Sequence, residues 1–339
     1  MSLLRTHNPI QPMTPTVARE LMERFLDQDT DPLLVGACLA LLAQRIPEAE
    51  ELTAFAQTLQ AVAKPFPDPR THTLDTCGTG GDGASTANLS TLAALLLAAM
   101  GVPVAKHGNR AATSACGSAD LLEALGYPMD LSPEDQLMGL QERRFAFLFA
   151  PQYHPLLGRL KEIRKRLGIP TVFNLLGPLL NPARPAFQVL GVAREALVPP
   201  MAGALSRLGV SRAFVLFGQD AEGRGLDEGS IDGPTLVVEV IEGQVCPKTH
   251  VHPAQLGIRQ PAPGALQAAS KAEAVALAQG IIGGGNHPSF RPALADAVAL
   301  QAAFGLLLHR GEALDDLPGA FTEARSVLQS GFALPFQVH

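Results

Sequence analysis

Through residues 1–65 apolar positions recur at helical spacing, and after that the period changes. Val17, Leu21 and Phe25 repeat every four positions, and Leu52, Phe55, Leu59 and Val62 share one face after Pro47, so this stretch predicts amphipathic helices. Thr14-Pro15 and Asp31-Pro32 each set a capping side chain ahead of a proline at the first helical position, which marks two helix starts. Pro65, Pro67 and Pro69 form a stiff extended linker, so a domain boundary is expected there: a mainly helical domain over 1–68 and an α/β domain over 69–339. Beyond the linker, short apolar runs alternate with helical patterns. Strands are expected before Gly78 and near 102–106, 145–150, 187–192, 213–217 and 236–241. Strands separated by helices predict a central, mostly parallel sheet flanked by helices. Ser270 and Glu273 read as a capping box, and the helix around Ala293 to Leu308 is apolar enough to be buried. Gly283 to Asn286 falls between two helices and is expected to be a surface connection.

The run Asp75 to Thr91 joins a strand to a helix through Gly78, Gly80, Gly81 and Gly83. Such a loop lets consecutive backbone N–H groups converge on an anion, and the helix beginning near Asn88 to Thr91 points its positive end at the same place. The spacing is neither a Rossmann fingerprint nor a Walker A loop, so neither a dinucleotide nor ATP is the expected ligand. Asp82, Ser90 and Thr91 add oxygens suited to a divalent cation or a sugar hydroxyl. A second strand then leads into Lys106, His107, Asn109 and Arg110, followed by Ser118, Asp120 and a helix. In a right-handed βαβ unit ligands sit beyond the carboxyl ends of the strands, so these four residues are expected to face the bound anion.

Composition narrows the class further. A chain of 339 residues with 47% hydrophobic content can fill a sizeable core. A net charge of −6, with scattered Lys and Arg, argues against nucleic acid or an anionic membrane as the main partner. No apolar run reaches the roughly 20 residues of a spanning helix, and Met1 to Met13 does not read as a signal peptide. Cys38, Cys77, Cys116 and Cys246 stand far apart, as reduced cytoplasmic thiols would.

Several motifs occur together in one order: the glycine loop with Asn88 to Thr91, Lys106 to Arg110, Gly117 to Gly126, Phe147 to Pro155, Ile163-Arg164, Thr171 to Pro182 and Leu226 to Ser230. In this order and over nearly the whole chain they resemble the anthranilate phosphoribosyltransferase family of tryptophan biosynthesis. The resemblance implies transfer of a phosphoribosyl group from 5-phosphoribosyl-1-pyrophosphate (PRPP) to anthranilate, with Mg²⁺. It implies a helical domain joined by a segment near 155–185, a homodimer through that domain, and substrate in the cleft beside it. It assigns PRPP to Gly78, Gly80, Gly81, Asp82, Thr86, Asn88, Ser90, Thr91, Lys106 and Ser118, and metal to Ser90, Asp227 and Glu228. Anthranilate falls to Gly78, His107, Asn109, Arg164, Gly177 and Pro178, with the Arg164 guanidinium on the carboxylate. His154, before Pro155, reads as a turn or cap residue. Ala87, Ala115, Ala43 to Pro47 and Gln301 depart from the family's usual residues. A pyrimidine-nucleoside phosphorylase of the same fold and a non-catalytic nucleic-acid-binding paralogue remain the alternatives.

Overall fold

The computed structural model describes residues 9–68, 72–84, 86–111 and 115–337. Pro69 of the expected linker therefore lies outside the described residues.

Both capped starts form as the sequence predicts. Thr14 Oγ1 accepts from the Val17 amide at 3.4 Å to open α1 (Pro15–Leu26), and Asp31 Oδ1 accepts from the Leu33 amide at 2.9 Å to open α2 (Pro32–Leu42). In α3 (Ala49–Ala61) Leu52, Phe55 and Leu59 are buried, whereas Val62 is the helix cap and is 45% exposed. The helical face ends one residue earlier than the periodicity suggests because the chain turns there.

The sheet follows the order β3 (Phe145–Phe149), β2 (Val104–Gly108), β1 (Leu74–Gly78), β4 (Phe187–Gly191), β5 (Arg212–Gln219), β7 (Thr235–Ile241), β8 (Gln244–Val245), with β6 (Gly225–Leu226) beside β5 and β9 (Thr249–Val251) beside β7. Its parallel members are β1, β2, β3, β4 and β5. β7 runs antiparallel to β5, as does the short β6. β2 begins and ends two residues later than the sequence suggests, which brings His107 into the strand.

Alternation along the strands feeds two large cores and a third, smaller one that takes Ala105, Ala146 and Leu148. On β5, Phe214 and Leu216 pack on one face with the apolar helices Leu89–Ala99 and Pro292–Arg310, while Ala213, Val215 and Phe217 pack on the other with α1 to α3 and the helix Val198–Leu208. Leu160 and Leu175 to Leu180 join that second core, so the segment near 155–185 and the N-terminal helices share it with the sheet. Helix Pro292–Arg310 is long and apolar enough to cross a membrane by length and composition, yet 83% of that window is buried inside the protein. Its apolar girth is that of a core helix packed on all sides.

The connection Gly283 to Asn286 is more than a surface link. Gly284 is buried, and the Gly285 amide donates to the Gln329 carbonyl at 2.9 Å. A Cβ on Gly284 would lie 2.6 Å from the Gly331 nitrogen, so the glycines serve a close backbone approach that local sequence does not display.

Candidate active site

β1 and β4 are neighbours in register, Gly78 opposite Gly191, and the chain leaves them in opposite directions across the sheet. Such a reversal opens a crevice beyond the carboxyl ends of the strands, where ligands of doubly wound sheets bind. The strands end in glycine because a returning segment occupies the crevice floor. A Cβ on Gly78 would lie 2.1 Å from Asp227 Oδ2, and one on Gly191 would lie 1.7 Å from the Asp227 carbonyl oxygen. At the end of β2, a Cβ on Gly108 would lie 2.2 Å from Ser118 Oγ.

Asp227 and Glu228 reach this floor because β6 pairs with β5, Leu226 opposite Gly218, and clamps the chain just ahead of them. Gln301, wholly buried on the core helix, donates to the Gly229 carbonyl at 3.4 Å from the other side. Asp227 is therefore buried and Glu228 half-buried where a polar loop would leave both solvated. Asp227 Oδ2 accepts from the Gly80 amide at 2.6 Å, and Glu228 Oε1 accepts from the Ser90 amide at 3.3 Å. Burial pushes both carboxyls well above the usual carboxylate range; the Asp82 charge raises Asp227 further, the Asp227 charge raises Glu228 further, and Lys106 opposes the rise of Glu228. Buried oxygens that repel one another in this way form a donor set for a hard divalent cation, so the residues fit Mg²⁺. Among the described residues no three His, Cys, Asp or Glu side chains form a closed cage.

Above this floor Gly80, Gly81 and Gly83 adopt φ of +69°, +87° and +72°, and no atom lies within 4 Å of where their Cβ atoms would be. Left-handed backbone with open space above it is the form of an anion cradle. Asp82 Oδ1 accepts from the Ala84 amide at 3.1 Å and closes the turn. The far arm is held by a bridge from Thr86 to Gln267 and by the Ala87 amide on the Leu266 carbonyl at 2.8 Å. The Asn88 amide group donates to the Cys116 carbonyl at 2.9 Å and does not itself cap the helix Leu89–Ala99. Thr91 lies in the first turn of that helix, 1% exposed. Lys106 is buried; its ammonium donates to the Thr76 carbonyl and to Ser90 Oγ at 3.4 Å. Ser118 donates to the Asn109 carbonyl at 3.2 Å.

Arg110 does not face the cradle as the βαβ reading expects. It forks onto Glu123 at 2.7 and 2.9 Å, reaches Asp120 at 3.1 Å and lies over the Phe149 ring. Two carboxylates outcompete an open crevice for a guanidinium. Asn109 is exposed, and its Oδ1 accepts from the Arg110 amide at 2.8 Å.

The remaining candidates meet along residues 171–181. Arg164, on the helix Gly158–Leu167, is half-buried over the Phe173 ring and donates to Asn174 Oδ1 at 3.3 Å. Leu156 precedes this helix and is 42% exposed, so it is no part of the helix's buried face. Pro178 is buried, and its carbonyl accepts from Gln188 Nε2 at 2.7 Å. No atom stands within 4 Å of a Cβ on Gly177, whose backbone hydrogen-bonds His107. His107 Nε2 is buried without a partner. The ring of His154 stands 5.4 Å from that of His107, and its Nε2 meets the Leu180 carbonyl at 2.9 Å. Sequence reading treats His154 as a turn residue because nothing local ties it to a partner on another strand.

Burial, with His154 beside it, lowers His107 to about 3, so the ring is neutral in the fold. The unfolded chain takes up a proton below about 6.5 while the folded ring does not, so His107 costs stability as pH falls below that value, by up to about 1.4 kcal/mol per pH unit. Thermal unfolding of His107→Asn from pH 7 to pH 4.5 is expected to show a shallower acid slope than the parent. An identical slope would contradict the neutral, buried ring.

Residues 70–334 match the family described as Glycosyl transferase family, a/b domain. The chain is 46% identical to the anthranilate phosphoribosyltransferase of Synechococcus elongatus over 319 residues, 93% of this chain and 88% of that one. The crystal structure of the Thermus thermophilus anthranilate phosphoribosyltransferase superposes with a TM-score of 0.85 at 39% identity, covering 98% of this chain and 95% of that one. The Saccharomyces cerevisiae enzyme, solved in complex with PRPP and Mg, gives 0.80 at 27% identity, covering 94% and 88%. With the glycine cradle, the acidic floor and the wall at 171–181 in the same chain, this protein belongs to the anthranilate phosphoribosyltransferase family.

Proposed function

We propose that this chain transfers the 5-phosphoribosyl group of PRPP to the amine of anthranilate, giving N-(5-phosphoribosyl)anthranilate and pyrophosphate, a step of tryptophan biosynthesis. The observation that carries the reading is the open, left-handed glycine turn over the acidic pair Asp227 and Glu228 at the end of β1. It holds a pyrophosphate on one side and a cation on the other. The yeast relative in complex with PRPP and Mg supports that ligand pair.

The aromatic amine is neutral at pH 7, so the site works through charge and position and needs no strong base. Gly78 to Gly83 present amides to the pyrophosphate, Lys106 supplies a buried positive charge beneath it, and the start of the helix Leu89–Ala99, whose Ser90 amide already meets Glu228, adds its dipole. Ser90, Asp227 and Glu228 hold Mg²⁺, and the charge on departing pyrophosphate is what the bound ion neutralises. Asn88, Thr91 and Ser118 serve the ribose and 5-phosphate. Neutral His107, Asn109 and the Gly177-Pro178 wall take the anthranilate ring, and Arg164 takes its carboxylate. Leu33, 77% exposed on the wholly apolar α2, supports a homodimer formed through the N-terminal helices. The thiols of Cys38, Cys77 and Cys246, none of them in a disulfide, support a reducing, cytoplasmic setting.

Loss of anthranilate fluorescence on adding PRPP and Mg²⁺ to the purified protein tests the reaction. Loss that requires both is expected; retained fluorescence would overturn the proposal. Arg164→Ala is expected to raise the anthranilate KM on the order of 10- to 100-fold, the worth of one charge-assisted contact, with the PRPP KM nearly unchanged. Equal rises in both would remove Arg164 from the carboxylate.

A further inference from the structure

Two neutral groups hold the Arg164 guanidinium. Its Nη2 donates to Asn174 Oδ1 at 3.3 Å, and its central carbon lies 5.4 Å from the centroid of the Phe173 ring. Among the described residues it makes no ion pair within 4 Å, and burial is what acts on its charge. Arg110 is the contrast: Asp120 at 3.1 Å and Glu123 at 2.7 Å neutralise it in place. Arg164 is therefore oriented yet keeps its charge for an incoming anion.

The oxygen that orients it is itself fixed. Asn174 Oδ1 accepts from the Thr171 amide at 3.1 Å, and the Asn174 amide donates to the Thr171 carbonyl at 2.9 Å. Thr171 Oγ1 is buried without a partner, so the Asn174 side chain closes the start of the short helix Val172–Leu176. Val172, Phe173, Leu175 and Leu176 sink into the second core and hold that helix in place. The turn Gly177–Leu179 follows directly, which sets the anchor of Arg164 and the Gly177-Pro178 wall on one packed unit. An amide oxygen has two lone pairs, here one for the Thr171 amide and one for the guanidinium. Such a neutral acceptor directs a guanidinium without cancelling its charge, whereas a carboxylate in the same place would pair with it and satisfy it internally.

We propose that Asn174 aims the Arg164 guanidinium at the carboxylate of the acceptor while leaving its charge unspent. Asn174 is a positioning residue, since it acts through Arg164. The inference rests on the assignment of Arg164 to the anthranilate carboxylate proposed above, and it identifies what keeps that guanidinium both directed and available.

Asn174→Asp separates this role from helix capping. The carboxylate still accepts from the Thr171 amide, so a capping role alone predicts an unchanged anthranilate KM and a Tm no lower than the parent's. The proposal predicts instead that the carboxylate takes the guanidinium and raises the anthranilate KM on the order of 10- to 100-fold, with the PRPP KM within about twofold. Asn174→Ala removes the guide without adding a competing charge, and is expected to raise the anthranilate KM by less, on the order of threefold to tenfold. In the Arg164→Ala background Asn174→Ala is expected to add no more than about twofold, because both act through one guanidinium. An unchanged anthranilate KM in Asn174→Asp overturns the inference. So does an equal rise of the PRPP KM, or effects that multiply in the double variant. Should Asn174→Asp fail to fold, Asn174→Ala decides, with a parental anthranilate KM counting against. Arg164→Ala by itself reports on the underlying assignment. If it leaves the anthranilate KM unchanged, assignment and inference fall together; a raised KM there with a parental KM in Asn174→Asp overturns only the inference.

Discussion

Gly78→Ala is expected to remove most of the activity while leaving the two large cores intact. The new Cβ would stand 2.1 Å from Asp227 Oδ2 and 2.8 Å from both its Cγ and its carbonyl oxygen. β1 and β4 pair across this position, so the strand does not yield and the aspartate must. Once displaced, Asp227 loses the Gly80 amide at 2.6 Å, and with it the link between the cation floor and the phosphate cradle. A shift of about 1 Å in such a group lowers kcat/KM on the order of 100-fold. Gly101→Ala is the contrast. That residue has positive φ, +90°, which Gly78 lacks, and nothing stands within 4 Å of its Cβ, so the change costs about 1–2 kcal/mol of stability and no turnover at a temperature where the protein stays folded. Gly78→Ala retaining more than a third of the parental kcat/KM would refute the proposed floor.

Asp227→Asn with Glu228→Gln is expected to lower kcat on the order of 10²- to 10³-fold and to abolish the rise of activity with Mg²⁺. The same variant is expected to be more stable than the parent in metal-free buffer at alkaline pH. Both carboxyls have folded pKa values raised by burial, Asp227 also by Asp82 and Glu228 also by Asp227. Above the ordinary carboxylate range of about 4 the unfolded chain has released these protons while the folded chain retains them, so the pair loses stability for the parent as pH rises. The variant lacks both groups and escapes that loss. Thermal unfolding at pH 5 and pH 8, with and without Mg²⁺, reads all of this: the parent should gain more from Mg²⁺ at pH 8, and the variant should gain at neither. A parent whose Tm ignores Mg²⁺ at both values would sink the metal assignment.

The glycine loop was legible because its information is local. Gly80, Gly81 and Gly83 sit where only glycine relaxes, and the apolar run from Leu89 announces the helix that follows. Caps at Thr14, Asp31 and Ser270 were legible for the same reason, each being a side chain bonded to an amide two or three residues on. Asp227 and Glu228 are legible only through the resemblance and through the cation that a phosphate loop calls for, since an acidic pair in a polar stretch reads as solvated. The short β6 and the buried Gln301 clamp them from two directions, and neither clamp has a local signature. Arg110 misled because strand-end position says which way the chain points and nothing of the competing carboxylates at Asp120 and Glu123.

Periodicity and turn chemistry in the sequence determined the order of helices and strands, the parallel sheet and the phosphate-type loop, because each rests on contacts within a few residues. Only the tertiary structure decided what stands around that loop. Gly78 with Asp227, Ser90 with Glu228, Asp75 with Asn181 and His107 with His154 join residues from separate elements. Their meeting depends on strand order and register, and so does their burial, which is what raises the acidic pair and neutralises the histidine.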